Sequence, residues 1–357
     1  MIDPDAFAKL ICEWCLDVHE RDYVLVFTTP SAAPLVRGVH RELIRRGAWP
    51  LGLRIDLPGL AEDFYQLASD ELLDDYPPLD LVEIERADAC LYIDAPENTR
   101  ALADVDPAAI ARAALARAAI REARTNRRWC ITVWPTPALA QQAGMSDDTY
   151  ASFVNRALFL DRPDPVAAWR ELNDRQATLV DRLSEAREIH IEADGTDLTL
   201  RVDGRTWINS NGRRNMPSGE VFTGPLEDSA NGTIRFTVPS SPRGVQVEDV
   251  TLTFEDGKVT GATAQRGQAY LDAALDSDPG ARFLGELGIG TNTGIDRATG
   301  SVLLDEKIAG TVHLALGRSY PETGGRNQSS LHWDLICDLR QGGRLTADGE
   351  VIEATGP

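Results

Sequence analysis

Tyr23-Val24-Leu25-Val26-Phe27 is a continuous apolar run of strand length, and a turn containing Pro30 and a helical pattern over 32–46 follow it. Such an uninterrupted run is typical of a parallel strand that is buried on both faces. Outward from this run, strands are predicted over 51–55, 89–93 and 129–134, and helices over 4–18 and 108–124. Because strands and helices alternate, we expect an α/β domain with a mostly parallel sheet.

The secondary-structure pattern of the sequence changes near residue 187, after a long helical pattern over 165–186. Short runs with alternating apolar residues follow, and glycine or asparagine turns separate them. Asp256-Gly257 lies between two such runs and is a strong hairpin signal. We therefore predict two domains: an α/β domain over 1–187, and an α+β, β-rich domain over 188–357.

Composition excludes several classes of function. The chain has 36 Lys+Arg and 56 Asp+Glu among 357 residues, a net charge of −20, which disfavours binding to nucleic acid. No apolar run approaches the roughly 20 residues that a membrane-spanning helix needs. The acidic start with Asp3 and Asp5 lacks the basic region of a secretory signal, and five cysteines fit a reducing compartment. We expect a cytoplasmic protein without a membrane partner.

Common active-site motifs are missing from the first domain. Thr28-Thr29-Pro30-Ser31 stands where a nucleotide-binding domain would have a glycine fingerprint, and the chain has no G-x-S-x-G nucleophile motif. Cys12 and Cys15 form a C-x-x-C pair without a second pair, and we interpret them as thiols packed in a core.

Two histidines in the second domain stand in strand-like surroundings. In the run 330–337, a period of two puts Leu331, Trp333, Leu335 and Cys337 on one face, so that His332 and Asp334 share the other face. Those two side chains can reach one cation. In the run 310–317, His313 shares its face with the small residues Thr311 and Ala315, which leaves room for a ligand.

Two glutamates also have unusual settings. Glu220 lies among turn residues at the start of a predicted strand, within Met216-Pro217-Ser218-Gly219-Glu220. Glu286 lies among glycines, within Gly285-Glu286-Leu287-Gly288, where a backbone can approach a bound group closely. Taken singly, each is also consistent with a carboxylate in a solvated loop.

Four segments together resemble the thermophilic aminopeptidase family (aminopeptidase T type, peptidase family M29). The segments are 215–223, 285–292, 305–317 and 332–334. The resemblance is strong from about residue 195 onward and extends only to the general layout over 1–187. Only 321–331 intervene between Tyr320 and His332, as in a shorter branch of the family, so the accepted substrate is expected to differ.

This resemblance implies a metal-dependent hydrolase that removes N-terminal residues from peptides or cleaves a related small amide. It implies that two divalent ions are bound by five residues of the C-terminal domain, which are Glu220, Glu286, His313, His332 and Asp334. It also implies that Tyr320 supplies a catalytic phenol and that the protein is a homodimer.

The implied donor set is informative about the metal. Three carboxylates and two imidazoles, without a thiolate, suit Zn²⁺, Co²⁺, Mn²⁺ or Fe²⁺ and do not choose among these ions. Mg²⁺ is a further candidate. Five ligands exceed what one structural zinc requires. In such a site we expect Glu286 to accept and return a proton and Tyr320 to donate a hydrogen bond to the developing oxyanion.

Alternatives stay open at this point. His313, His332 and Asp334 also make up the two-histidine, one-carboxylate set of mononuclear non-haem Fe(II) enzymes, such as a ring-cleaving dioxygenase or a related amine or amide hydrolase on the same scaffold. A non-catalytic metal-binding or dimerisation module is the third possibility. Asp305-Glu306-Lys307 either orients His313 from behind or forms a solvated turn.

Overall fold

The computed structural model describes residues 2–352, which form seventeen strands and twelve α-helices. The strands are β1 (Val24–Thr28), β2 (Gly52–Ile55), β3 (Ala89–Asp94), β4 (Arg128–Val133), β5 (Glu188–Ala193), β6 (Thr196–Arg201), β7 (Ile208–Ser210), β8 (Asn215–Met216), β9 (Glu220–Thr223), β10 (Asn231–Phe236), β11 (Glu248–Glu255), β12 (Lys258–Arg266), β13 (Leu284–Gly290), β14 (Thr311–Gly317), β15 (His332–Asp338), β16 (Arg344–Ala347) and β17 (Glu350–Val351). The helices are α1 (Pro4–Leu10), α2 (Ala33–Arg45), α3 (Leu60–Leu67), α4 (Asp70–Leu73), α5 (Pro78–Arg86), α6 (Pro107–Ala116), α7 (Ala118–Thr125), α8 (Pro137–Gln142), α9 (Asp147–Ala157), α10 (Pro165–Ser184), α11 (Gln268–Leu275) and α12 (Val302–Asp305).

The chain divides into two compact units. The first comprises Met1–Trp169 with Gly212–Pro217, and the second comprises Arg170–Asn211 with Ser218–Pro357. The domain boundary near residue 187 stays a prediction, because compactness alone defines these units. None of the described helices is both long and apolar enough to cross a bilayer.

The first unit is built on a five-stranded parallel sheet. Its strand order is β2-β1-β3-β4-β8, and every neighbouring pair is parallel. The first four strands are those that the apolar runs predicted, and helices occupy the connections between them, so the α/β class is confirmed. The fifth, β8, was not predicted: its two residues lie far along the chain and pair with Ile131 and Thr132 of β4.

Two of the predicted helices differ from the structure. The single helix predicted over 108–124 is two helices, α6 and α7, because Arg117 between them leaves the helical conformation at ψ 16°. The helix predicted over 4–18 ends as α1 at Leu10 and continues as a π-helical turn, Ile11–Cys15. Cys12 and Cys15 are buried free thiols, as predicted.

The second unit contains two antiparallel sheets. One has seven strands in the order β12-β11-β10-β6-β5-β16-β17, and the other has five in the order β15-β14-β13-β9-β7. The predicted hairpin joins β11 to β12, and Asp256 and Gly257 both have positive φ, at 46° and 80°. A β-rich second half is therefore confirmed.

Period-two alternation decides which face of the five-stranded sheet is buried in the hydrophobic core. Core residues from β14 and β15 pack with residues of the other sheet; they are Val312, Leu314, Leu316, Trp333, Leu335 and Cys337. Burial of an apolar side chain of this size contributes about 1.5–3 kcal/mol to the free energy of unfolding. The alternate residues, among them His313 and Asp334, must then lie on the opposite face, as the sequence predicted.

Candidate metal centre

Four adjacent strands carry the five predicted metal ligands onto one face of the five-stranded sheet. β9 carries Glu220, β13 carries Glu286, β14 carries His313, and β15 carries His332 and Asp334. Antiparallel register sets their positions, because Gly290 lies opposite Glu220, Gly288 opposite His313 and Ala315 opposite Asp334. Residues that are 112 positions apart in sequence, Glu220 and His332, thus become neighbours of the same centre.

The spacing of the side-chain atoms fits the ligands of a divalent cation. His313 Nε2 lies 3.4 Å from Glu286 Oε1 and 3.5 Å from Glu220 Oε2. His332 Nε2 lies 3.5 Å from Glu286 Oε2 and 3.6 Å from Asp334 Oδ2. Two ligand atoms about 2.1 Å from one ion at a tetrahedral angle stand about 3.4 Å apart. An N–H···O hydrogen bond is shorter, about 2.9 Å.

Burial leaves several donor atoms of this cluster without a partner. Glu220 and Glu286 are each 5% exposed, and His313 is fully buried. Glu220 Oε2, Asp334 Oδ1 and His313 Nδ1 have no hydrogen-bond partner among the described residues. Because a buried and unpaired carboxylate oxygen costs free energy, a cation at this place would stabilise the cluster. The donor set and its unpaired oxygens therefore fit a divalent ion.

Among the described residues, three overlapping groups of possible ligands occur, and within each group the ligand atoms lie within 4.8 Å of one another. The groups are Glu220 with Glu286 and His313, Glu286 with His332 and Asp334, and Glu306 with His313 and Asp334. Glu286 belongs to the first two groups, and each of its oxygens faces a different imidazole. Glu306 is an additional candidate ligand that was not in the predicted set.

A hydrogen bond fixes the tautomer of His332. Its Nδ1 lies 2.9 Å from the carbonyl oxygen of Arg318, which can only accept, so Nδ1 carries the proton. In the neutral imidazole, Nε2 then keeps its lone pair, and this atom faces Glu286 and Asp334. Such a backbone contact is the usual way in which a protein fixes the tautomer of a metal-binding histidine.

Two carboxylates hold a proton on His313. Burial by itself lowers the pKa of this imidazole, but Glu286 and Glu220 more than reverse that effect and raise the pKa to about 9. A divalent ion that binds His313 must displace this proton, which couples metal binding to pH.

Tyr320 lies at the edge of the cluster. Its hydroxyl is 3.5 Å from His332 Nε2, and its ring packs edge-on against Phe222 with the ring centroids 5.7 Å apart. Burial raises the pKa of this phenol well above its usual value, and the nearby charges of Glu286 and Asp334 raise it further. The hydroxyl is therefore protonated at neutral pH and able to donate a hydrogen bond.

A buried lysine neutralises part of the acidic cluster. Lys307 is fully buried, and its Nζ lies 3.1 Å from Glu220 Oε1 and contacts the carboxylate of Glu306. The ammonium thus occupies Oε1 of Glu220 and leaves Oε2 to face His313. Sequence reasoning missed this role, although Lys307 is one of only three lysines in an arginine-rich chain, which is a compositional signal.

The segment 305–307 is not a solvated turn. Asp305 and Lys307 are 3% and 0% exposed. Asp305 accepts hydrogen bonds from Thr299 and from the backbone of Gly300, so it anchors the preceding loop and does not orient His313. Both alternatives from the sequence were therefore incomplete, since Glu306 and Lys307 contact the cluster directly.

Gly288 supplies the space that the His313 ring occupies. A Cβ atom at Gly288 would lie 2.0 Å from His313 Nε2 and 2.1 Å from its Cε1, which is an overlap that real structures do not contain. We expect Gly288→Ala to displace the imidazole and to lower both bound metal and hydrolytic activity, at least about tenfold in kcat/KM.

Gly261→Ala is the matched control on a strand of the same unit. The added Cβ would meet its nearest atom, Thr253 Cβ, at an ordinary 3.4 Å. Elemental analysis and kcat/KM of both variants, with circular dichroism to verify folding, make the test. Normal metal content and activity in Gly288→Ala would show that His313 does not act where the structure places it.

Known proteins that resemble the chain are metalloproteases and aminopeptidases. The sequence model of the thermophilic metalloprotease family, M29, matches residues 3–353. Aminopeptidase 2 of Geobacillus stearothermophilus is 34% identical over 394 aligned positions, which cover 97% of this chain and 94% of that protein. Aminopeptidase T of Thermus thermophilus is 29% identical over 397 aligned positions, which cover 98% of this chain and 95% of that protein.

A solved structure has the same fold. Wild-type AmpT from Thermus thermophilus superimposes with a TM-score of 0.83 at 24% sequence identity, and the match covers 98% of this chain and 96% of that one. This likeness confirms the predicted fold class over nearly the whole chain.

Proposed function

Because the chain belongs to the M29 family of thermophilic metalloproteases, and is thus a metallo-aminopeptidase-like hydrolase, we propose that it removes N-terminal residues from peptides at a two-metal site. A related small amide is the other substrate class that the proposal allows. The proposed ligands are Glu220, Glu286, His313, His332 and Asp334, and the proposed catalytic residues are Glu286 and Tyr320.

One observation carries the proposal. Five residues with nitrogen and oxygen donor atoms, from four strands, converge with spacings of 3.4 to 3.6 Å. Two of their buried carboxylate oxygens have no hydrogen-bond partner within the described part of the chain. This donor set suits Zn²⁺, Co²⁺, Mn²⁺ or Mg²⁺. Ions held there would lower the pKa of water and polarise a carbonyl group.

The position of Glu286 supports two ions over one. Its two oxygens face different imidazoles, so the donor groups on either side of it can each hold an ion. Glu286 belongs to both donor groups and would help to hold a metal ion together with the imidazoles and Asp334. Glu306 completes a third group with His313 and Asp334, and Lys307 offsets its charge.

The protein's own groups perform the proton transfers and stabilise charge in this proposal. Glu286 accepts the proton of the attacking water and returns it to the departing amine. The Tyr320 hydroxyl donates a hydrogen bond to the carbonyl oxygen as negative charge develops there, an interaction typically worth about 3–4 kcal/mol when lost. The carboxylates around the site favour the positively charged end of a peptide with a free N-terminus.

We also propose a cellular location, an oligomeric state and a segment that influences substrate choice. All five cysteines are buried free thiols, which supports a reducing, cytoplasmic location. A homodimer is proposed from the family resemblance. The short segment 321–331 follows Tyr320 directly, so we propose that it contributes to substrate choice.

The family membership does not favour the alternatives. A mononuclear Fe(II) oxygenase would use His313, His332 and Asp334 alone, whereas Glu220 and Glu286 lie equally close to the imidazoles. A non-catalytic module gives no reason for a protonated Tyr320 beside the donor set.

Hydrolysis of aminoacyl chromogenic amides and short peptides tests the proposed function. We expect the chain to cleave substrates with a free N-terminus, and to lose at least about a hundredfold in rate on N-acetylated versions and after chelation, with recovery on adding a divalent ion. The rate is expected to be the same with and without dioxygen. Turnover that requires dioxygen, or no cleavage of any unblocked amide by the metal-loaded enzyme, would contradict the proposal.

A further inference from the structure

We propose that the first unit binds a small multivalent oxyanion, carrying phosphate or carboxylate groups, in an arginine-lined cavity at the amino-terminal edge of its sheet. Two arginine pairs stand directly before neighbouring parallel strands: Arg127-Arg128 at the start of β4 and Arg213-Arg214 before β8. Parallel strands begin at the same edge of a sheet. The pairs therefore meet, and the backbone of Ile131 donates to the carbonyl oxygen of Arg214 at 2.7 Å.

The four arginines line one cavity of about 240 Å³. Pockets for drug-sized ligands measure about 300–1,000 Å³, so this one suits a small ion or metabolite. Asp17 is the single carboxylate among the lining residues. Four arginines and one aspartate thus give the lining a positive balance in a chain whose net charge is −20.

Two of the guanidinium groups are available to a ligand. Arg128 is already used: it lies 2.8 Å from Asp22 and donates to the carbonyl oxygen of Leu16 at 3.0 Å. Arg127 and Arg213, in contrast, have no ion-pair partner among the described residues, and the Nε of Arg127 is buried without a hydrogen bond. A buried guanidinium donor without an acceptor is costly, and an oxyanion would supply the acceptor.

Aromatic rings hold the second pair of arginines in place. The guanidinium of Arg213 lies 4.7 Å from the ring centroid of Trp14, and that of Arg214 lies 5.8 Å from that of Trp129. Stacking of this kind fixes the plane of a guanidinium group. Planar, preorganised forks match carboxylate and phosphate oxygens, which identifies the ligand class.

Isothermal titration calorimetry of the full chain at low salt, with inorganic phosphate in one arm and citrate in the other, tests this site. We expect saturable binding of at least one of the two probes. We expect the double variant Arg127→Gln, Arg213→Gln to bind at least about tenfold more weakly, because the loss of a single charge-assisted hydrogen bond is enough to lower the affinity by about that factor. Relative affinities in the two arms show whether phosphate or carboxylate is preferred.

The double variant Arg37→Gln, Arg86→Gln is the matched control. Both residues are exposed arginines of the same unit and do not line the cavity. This control variant removes the same amount of charge. Its affinity for the anion is expected to stay within about twofold of that of the unchanged chain, because distant surface charges are screened by salt. Absence of saturable binding, or equal weakening in both double variants, would overturn the proposal. Thermal unfolding without anion verifies that both variants fold.

Discussion

Glu286→Gln is expected to abolish hydrolysis while the fold stays intact. The glutamine keeps the size of the side chain and one carbonyl oxygen, but it cannot accept a proton, and only a carboxylate can face both imidazoles with acceptor oxygens. Loss of general acid–base catalysis typically lowers the rate by about 10²–10⁴-fold. Steady-state kcat on an aminoacyl amide is the measurement, with metal content determined on the same preparation.

Glu255→Gln is the control for this variant, because Glu255 is an exposed glutamate at the end of β11 in the same unit. It is expected to leave kcat unchanged. Circular dichroism and thermal unfolding show whether Glu286→Gln folds. Near-normal turnover in a folded Glu286→Gln enzyme would remove Glu286 from the proton-transfer step and from the centre of the proposed site.

The second large effect is expected for His332→Ala, which should lose bound metal as well as activity. His332 presents Nε2 toward Glu286 and Asp334 because its Nδ1 is bound to the Arg318 carbonyl oxygen. Removal of the imidazole deletes one donor group entirely. Mutation of groups that only support a ligand already costs about 10–100-fold in metal affinity, so loss of a ligand itself is expected to cost more.

His190→Ala provides the comparison, since His190 lies on β5 of the same unit and pairs with Asp197 at 2.8 Å, away from the cluster. Metal affinity and kcat/KM are measured for both variants. We expect His190→Ala to behave like the unchanged enzyme. If His332→Ala retained full metal content, His332 would have to be a substrate-contacting residue and not a ligand.

Strand alternation explains why part of the site could be predicted from the sequence. In β14 and β15 every second residue enters the core, which fixes His313, His332 and Asp334 on the opposite face regardless of the rest of the fold. The local surroundings of Glu220 and Glu286 are also those of carboxylates in solvated loops, and only the family resemblance joins them to the histidines. Their proximity depends on the strand order β15-β14-β13-β9, which local sequence does not encode.

Other features depend on tertiary contacts and escaped prediction. Lys307 and Glu306 follow the short helix α12, and nothing in the local pattern shows that this turn is buried against Glu220. β8 joins the first sheet although its residues lie beyond the predicted boundary near 187. It could not be predicted, because two residues are too few to give a periodic signal. The break at Arg117 is equally invisible in an alanine-rich helical pattern.

The number of divalent ions bound per chain tests the proposed two-metal site most directly. It is measured by elemental analysis during a metal titration of chelator-treated protein, and amide hydrolysis is followed on the same samples. We expect two ions per chain at saturation, with full activity only when the second ion is bound. Saturation at one ion per chain with full activity, or a preparation with two ions that cleaves no unblocked amide, would contradict it.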